Sequence, residues 1–214
     1  MLISLEGIEG AGKSTLAIAL AGALSERGLS VRLTREPGGT PLAERLRGVV
    51  LERGSEHIGA EAETLLMFAA RSIHLDNLVR PALRAGSWVI CDRFTDATRA
   101  YQGAGRGVDP TLIEHLAAAV HADLWPQRTL LLDLPVADGI ARARSRRGSG
   151  DRFEDEQRDF FERVRGGYLR IAAAEPQRVR VLDALEAPAA LTQRALAALS
   201  DLLPAAPPGR AGAE

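Results

Sequence analysis

Gly7-Ile8-Glu9-Gly10-Ala11-Gly12-Lys13-Ser14 follows the apolar run Leu2-Ile3-Ser4-Leu5 almost directly and opens a stretch in which Leu16, Leu20, Ala23 and Leu24 recur at helical spacing. The segment fits G-x-x-x-x-G-K-[ST] in the strand–loop–helix setting that the motif requires. Its glycines let successive backbone amides curl round a phosphate, and the helix behind adds unpaired N–H groups and the positive end of its dipole. Lys13 then bridges β- and γ-phosphates, and Ser14 offers a hydroxyl to Mg2+. Gly7, Ile8, Glu9, Gly10, Ala11, Gly12, Lys13, Ser14 and Thr15 form the expected nucleotide-binding segment.

Working outward, short apolar runs alternate with longer helical patterns, the arrangement of strand and crossover-helix units in a parallel sheet. Strands are expected near Leu2 to Leu5, Val31 to Thr34, Trp88 to Cys91, Thr129 to Asp133 and Val179 to Leu182. After the first helix Gly28 stands where a left-handed cap is wanted. Further helices are expected at Pro41 to Arg53, Ala60 to Ala85, Pro110 to Ala122, Val136 to Arg147, Asp155 to Ala174 and Pro188 to Leu203. No linker divides the chain, so residues 1–203 read as a single domain. Residues 204–214, rich in Pro, Gly and Ala, read as a disordered tail.

With 46% hydrophobic and 26% charged residues the 214-residue chain has ordinary globular values. A net charge of −1 lacks the basic excess of a general nucleic-acid binder. No membrane span and no targeting leader is legible, which implies the cytoplasm. Cys91 is the only cysteine and reads as a small buried strand residue. Of the 27 lysines and arginines only Lys13 is lysine. An arginine-biased chain that keeps one lysine keeps it where a compact ammonium on a flexible stem is needed.

With no second lysine the chain cannot write the Asn-Lys-x-Asp base-reading motif of a standard GTPase. Its third strand ends Cys91-Asp92-Arg93 rather than in the Asp-Glu of an ATP-driven machine. An acid followed by arginine suits magnesium and a second phosphorylated substrate.

The chain resembles bacterial thymidylate kinases from Leu2 to about Leu203. The resemblance rests on the glycine loop with Glu9 inside it, Thr34-Arg35-Glu36-Pro37-Gly38-Gly39-Thr40, Asp92-Arg93-Phe94, Ala100-Tyr101-Gln102-Gly103 and Gly150-Asp151-Arg152-Phe153-Glu154. It implies an α/β P-loop three-layer fold, with a five-stranded parallel sheet in the order 2-3-1-4-5 flanked by helices, and a mobile lid. It also implies a homodimer.

Carried over by position, the resemblance makes Glu9 the acid near the acceptor's 3′-hydroxyl and phosphate, and Glu36-Pro37 a cis peptide at the acceptor site. Arg93 becomes the clamp on the acceptor phosphate, with Arg47 a second arginine nearby and Asp92 reaching magnesium through water. Tyr101 lies beneath the deoxyribose, and Arg71, Thr98 and Gln102 read the thymine edge. Relatives stack a phenylalanine on the base where a gapless reading puts Met67, with Phe68 one position later; both stay candidates.

Arg142, Arg144, Arg146, Arg147 and Arg152 crowd a segment broken by Gly148-Ser149-Gly150. A positive, hinged stretch of this kind suits a lid, at about 143–153, that brings an arginine to the charge developing in transfer. Counting from the fourth strand points to Arg146, and counting back from Asp151-Arg152 points to Arg147. The expected reaction is ATP plus dTMP giving ADP plus dTDP by direct in-line transfer. A kinase for another nucleoside monophosphate and a non-catalytic nucleotide-binding regulator are the alternatives.

Overall fold

A computed structural model describes residues 1–52, 56–145 and 156–204. Five strands, β1 (Leu2–Glu6), β2 (Val31–Arg35), β3 (Trp88–Asp92), β4 (Arg128–Asp133) and β5 (Val179–Asp183), form one parallel sheet in the order β2-β3-β1-β4-β5. β1 is buried along its whole length, as a central strand covered on both faces must be, with Leu2, Ile3 and Leu5 apolar and Ser4 and Glu6 buried polar exceptions. β2 forms one edge and exposes Arg32, Leu33 and Arg35.

The strand order determines where a ligand can sit. From β1 the chain crosses beyond β3 to β2, and from β3 it returns past β1 to β4. The connections therefore diverge between β1 and β3, and a crevice opens at the carboxyl ends of these two strands. The glycine loop leaves β1 there and Asp92-Arg93 leave β3 there.

Helix α1 (Lys13–Ser25) packs Leu16, Leu20 and Leu24 inward, and Gly28 at φ 80 closes it. α2 (Pro41–Leu51) begins on a proline, which loses nothing at a first helical position. The long helix expected at 60–85 is three pieces: α3 (Ala60–His74), a wider π turn over Leu75–Val79 and α4 (Arg80–Arg84). Pro81 has no amide to return to the carbonyl four residues earlier, so the ladder widens rather than continuing.

One helical segment was not expected from sequence at all. α5 (Thr95–Thr98) runs into a π segment, Arg99–Gly105, that carries Tyr101 and Gln102. Asp96 anchors it, accepting two bonds from Arg178 at 2.7 and 3.0 Å. α6 (Pro110–His121), α7 (Val136–Ser145), α8 (Arg158–Ala174) and α9 (Pro188–Ala198) complete the chain. α8 lies close against the π segment because both contribute glycines: a Cβ on Gly105 would meet Phe160 at 2.6 Å, and one on Gly167 would meet Ala104 at 2.7 Å. α9 is shorter than expected, its end turning where Ser200 donates to the Ala197 carbonyl. Of the expected helix ends, Arg53, Arg147 and Asp155 lie outside the described residues.

Candidate active site

Between β1 and α1 the chain passes through Gly7, Gly10 and Gly12, all at positive φ. The ammonium of Lys13 is turned back into this loop and donates to the carbonyls of Gly7 at 3.1 Å and Ile8 at 3.0 Å. Only 7% of Lys13 is exposed, and this burial, with the nearby Arg93 charge, lowers its pKa. Ser14 donates to Asp92 Oδ2 at 3.0 Å across the crevice. On the outer side of the loop a cleft is lined by Gly12, Thr15, Arg142 and Ala184, with Arg142 held by the Ala184 carbonyl at 3.0 Å.

Arg93 is the one non-glycine at positive φ among the described residues, at 75°. A side chain there costs of order 1 kcal/mol or more, and surrounding contacts must impose it. Those contacts are dense. Nη1 donates to the Gly7 carbonyl at 3.2 Å and to the Tyr168 hydroxyl at 3.3 Å. Nη2 donates to the Tyr101 hydroxyl at 3.0 Å and to Glu9 Oε1 at 2.5 Å. The guanidinium also lies 4.6 Å from the centroid of the Tyr101 ring.

A pocket opens beside Arg93, with Glu36, Met67, Arg71, Thr98, Tyr101 and Gln102 in its wall. The peptide Glu36-Pro37 is cis, and Arg47 donates to the Pro37 carbonyl at 2.9 Å. Arg71 is buried, giving its Nε to Glu36 Oε2 at 2.7 Å and Nη2 to Thr98 Oγ1 at 3.1 Å. Its Nη1 has no partner among the described residues. The flat cation rests on aromatic faces, 4.7 Å from the Phe68 centroid and 5.3 Å from that of Phe94. His74 completes the Glu36 carboxylate at 2.9 Å and contacts Thr34 Oγ1 at 2.7 Å. Burial alone would raise the Glu36 carboxyl, but Arg71 and His74 outweigh it and hold it below the ordinary range. Glu36, His74 and Cys91 bring three ligand types within 4.8 Å, yet Arg71 already occupies the carboxylate, and its charge opposes a metal there.

Gln102 has its amide oriented. Its Nε2 donates to the buried Glu63 at 2.7 Å, and Arg106 donates to the same oxygen at 2.8 Å. The carboxylate can only accept, so the amide nitrogen faces it and the amide oxygen is left for the pocket. Met67 stands at the wall, whereas Phe68 is 2% exposed and packs with Val108, Ile113 and Ala117. Successive helical residues point about 100° apart, so a helix that shows Met67 to the pocket turns Phe68 into the core.

The structure thus gathers Glu9, Glu36, Pro37, Arg47, Met67, Arg71, Arg93, Thr98, Tyr101 and Gln102 round one pocket, and Ser14, Lys13 and Asp92 beside it. Arg146 and Arg147 lie outside the described residues. Sequence reasoning missed Glu6, Glu63, His74, Phe94 and Tyr168. A signal was available for two: Glu63, Met67, Arg71 and His74 repeat at four, four and three residues, one face of α3.

A family model described as thymidylate kinase matches residues 5–195. A thymidylate kinase of Pseudomonas entomophila is 53% identical over 199 residues, covering 93% of this chain and 94% of its own length. Another, of Methylococcus capsulatus, is 52% identical over 201 residues, with 94% and 95% covered. Among solved structures, thymidylate kinase from Ehrlichia chaffeensis superposes with a TM-score of 0.76 at 33% identity, covering 94% of this chain and 98% of that one.

Proposed function

The chain belongs to the thymidylate kinase family, and we infer from that membership that its crevice divides the reaction, the glycine-loop side holding ATP and the Glu36–Gln102 side holding dTMP. It phosphorylates dTMP to dTDP with ATP as donor. The readings of a different acceptor and of a non-catalytic regulator are not favoured. Residues 1–203 act as one kinase domain, with the lid at about 143–153.

In this reading the loop amides and Lys13 hold the β- and γ-phosphates, and the acceptor phosphate reaches Arg93 by displacing the Glu9 contact. Two phosphates brought together repel, and a buried, preorganised cation offsets that repulsion without reorganising. Glu9, released, reaches toward the 3′-hydroxyl, and Arg47 adds charge near the acceptor phosphate. The hydroxyl of Ser14 and the carboxylate of Asp92, 3.0 Å apart, are hard oxygen donors that fit Mg2+. When bound, Mg2+ neutralises charge between the β- and γ-phosphates. Tyr101 underlies the sugar. Either Arg146 or Arg147 delivers the lid's charge to the transferring group.

One observation carries the choice of base: Arg71 Nη1, buried, and the Gln102 amide oxygen, neither with a partner among the described residues, share one pocket. A donor beside an acceptor complements the O4 and N3–H of thymine, whereas cytosine presents the reverse pattern and leaves both protein groups unpaired. Arg71→Ala should raise KM for dTMP about tenfold to a hundredfold and narrow the advantage over dCMP, read by coupled ADP release on dTMP, dUMP and dCMP. Unchanged discrimination would leave only a nucleoside monophosphate kinase of unassigned base.

The two candidates for the base platform separate in the same assay. Met67→Ala should raise KM for dTMP about threefold to tenfold with little change in melting temperature. Phe68→Ala should cost about 3–5 kcal/mol of stability, as loss of a core aromatic does. The reverse pattern would move the platform to Phe68.

Leu42 and Val49 on α2 and Leu65 on α3 are exposed apolar side chains on neighbouring helices, which supports a homodimer. No described helix is long and apolar enough to cross a membrane, in keeping with action in the cytoplasm.

A further inference from the structure

Two buried groups stand behind Arg93 and are used by none of the roles above. Glu6, the last residue of β1, is fully buried. Its Oε1 accepts the backbone N–H of Phe94 at 2.7 Å, and its Oε2 accepts the Tyr168 hydroxyl at 2.8 Å. Tyr168 lies on α8, is 2% exposed, and its oxygen accepts from Arg93 Nη1 at 3.3 Å. A single carboxyl thus holds Arg93 at both ends. It fixes the peptide that follows the residue at φ 75 and, through the tyrosine, the guanidinium itself.

A carboxyl buried at the root of an anion site needs a reason, since burial of an acid is costly and unhelpful to phosphate binding. Burial, with a smaller push from Asp96, raises the Glu6 carboxyl to about 8. At neutral pH it is then largely uncharged: Oε1 still accepts from Phe94, the proton carried on Oε2 reverses the other contact so that Glu6 donates to the Tyr168 oxygen, and the carboxyl does not compete with a phosphate for the Arg93 charge. Packing alone would not require both oxygens to end on groups attached to one arginine.

We propose that Glu6 and Tyr168 are positioning residues for Arg93, holding its strained backbone and its guanidinium in the geometry that receives the acceptor phosphate. The proposal rests on the reading of Arg93 as the clamp on that phosphate. It joins β1, β3 and α8 in setting one cation, and it makes α8 a contributor to acceptor binding although no side chain of α8 lines the acceptor pocket.

The test is steady-state kinetics on the full chain with dTMP and ATP varied separately, alongside thermal melting. Tyr168→Phe removes one hydroxyl and keeps the ring. It should lower kcat about tenfold and raise KM for dTMP about threefold, the size of one hydrogen bond to a charged group, while KM for ATP and the melting temperature stay near wild type. Glu6→Ala should lose more. Glu6→Gln should recover most of that loss, because its amide oxygen can accept from Phe94 and its nitrogen can donate to Tyr168. Wild-type kinetics in Tyr168→Phe overturn the proposal. So does a loss of activity that follows loss of folded protein with both KM values unchanged, and so does a Glu6→Gln no better than Glu6→Ala. Arg93→Ala separates the two levels: if it still turns over dTMP normally the clamp reading itself fails, and if it is inactive while Tyr168→Phe is wild type only the positioning role fails.

Discussion

Lys13→Met should reduce phosphoryl transfer by at least about 10³-fold, because a single preorganised cation at transferring phosphates is worth several kcal/mol of transition-state stabilisation. The fold should survive. The Lys13 ammonium makes hydrogen bonds to two loop carbonyls, Gly7 and Ile8, and a methionine of similar length fills the same channel. Losing those bonds costs about 1–3 kcal/mol, and relief from burying a charge offsets part of it. Coupled ADP release with saturating dTMP reads the first effect and thermal melting the second. Activity within a few-fold of wild type would remove the glycine loop from the mechanism.

Arg93→Ala should be comparably severe, lowering kcat/KM for dTMP by about 10³-fold or more while KM for ATP changes little. Its guanidinium is the point where Glu9, Tyr101, Tyr168 and the Gly7 carbonyl converge. No other arginine in the described pocket wall is placed to take its part: Arg71 is committed to Glu36 and Thr98, and Arg47 reaches the Pro37 carbonyl. Alanine at φ 75 is no more comfortable than arginine, so the backbone strain persists and any loss of stability reports the lost contacts. Calorimetric titration with dTMP checks the binding part, and an unaltered affinity would contradict the clamp reading.

The inner strands β1, β3 and β4 were legible as short runs buried nearly throughout, the edge strands β2 and β5 as valine- and leucine-bearing runs between helical patterns, and the loop because its motif constrains residue type and spacing together. Local signals carry no further than that. Thr95 to Gly105 has a threonine start and two glycines, so nothing in its letters announces a helix; it is held helical by Asp96 on Arg178 and by the close seat of α8. The choice between Met67 and Phe68 could not be made from a gapless count, since it depends on the rotation of α3 set by tertiary packing. Glu6 and Tyr168 are 162 positions apart, and no pattern along the chain connects them. Glu63 and His74 could have been found, because a charged or polar residue on the same helical face as Arg71 points at the core only with a partner.

The solitary lysine has a practical corollary. With every other basic side chain an arginine, the protein carries one ε-amine, and burial lowers its pKa toward the free-base form that attacks acylating and aldehyde reagents. The same nitrogen donates to the Gly7 and Ile8 carbonyls, and in the proposed reading it turns to the phosphates of a bound nucleotide. The extent of labelling at Lys13, read on its own peptide so that the α-amine of Met1 is counted apart, should fall as nucleotide fills the donor side and so gauges its occupancy.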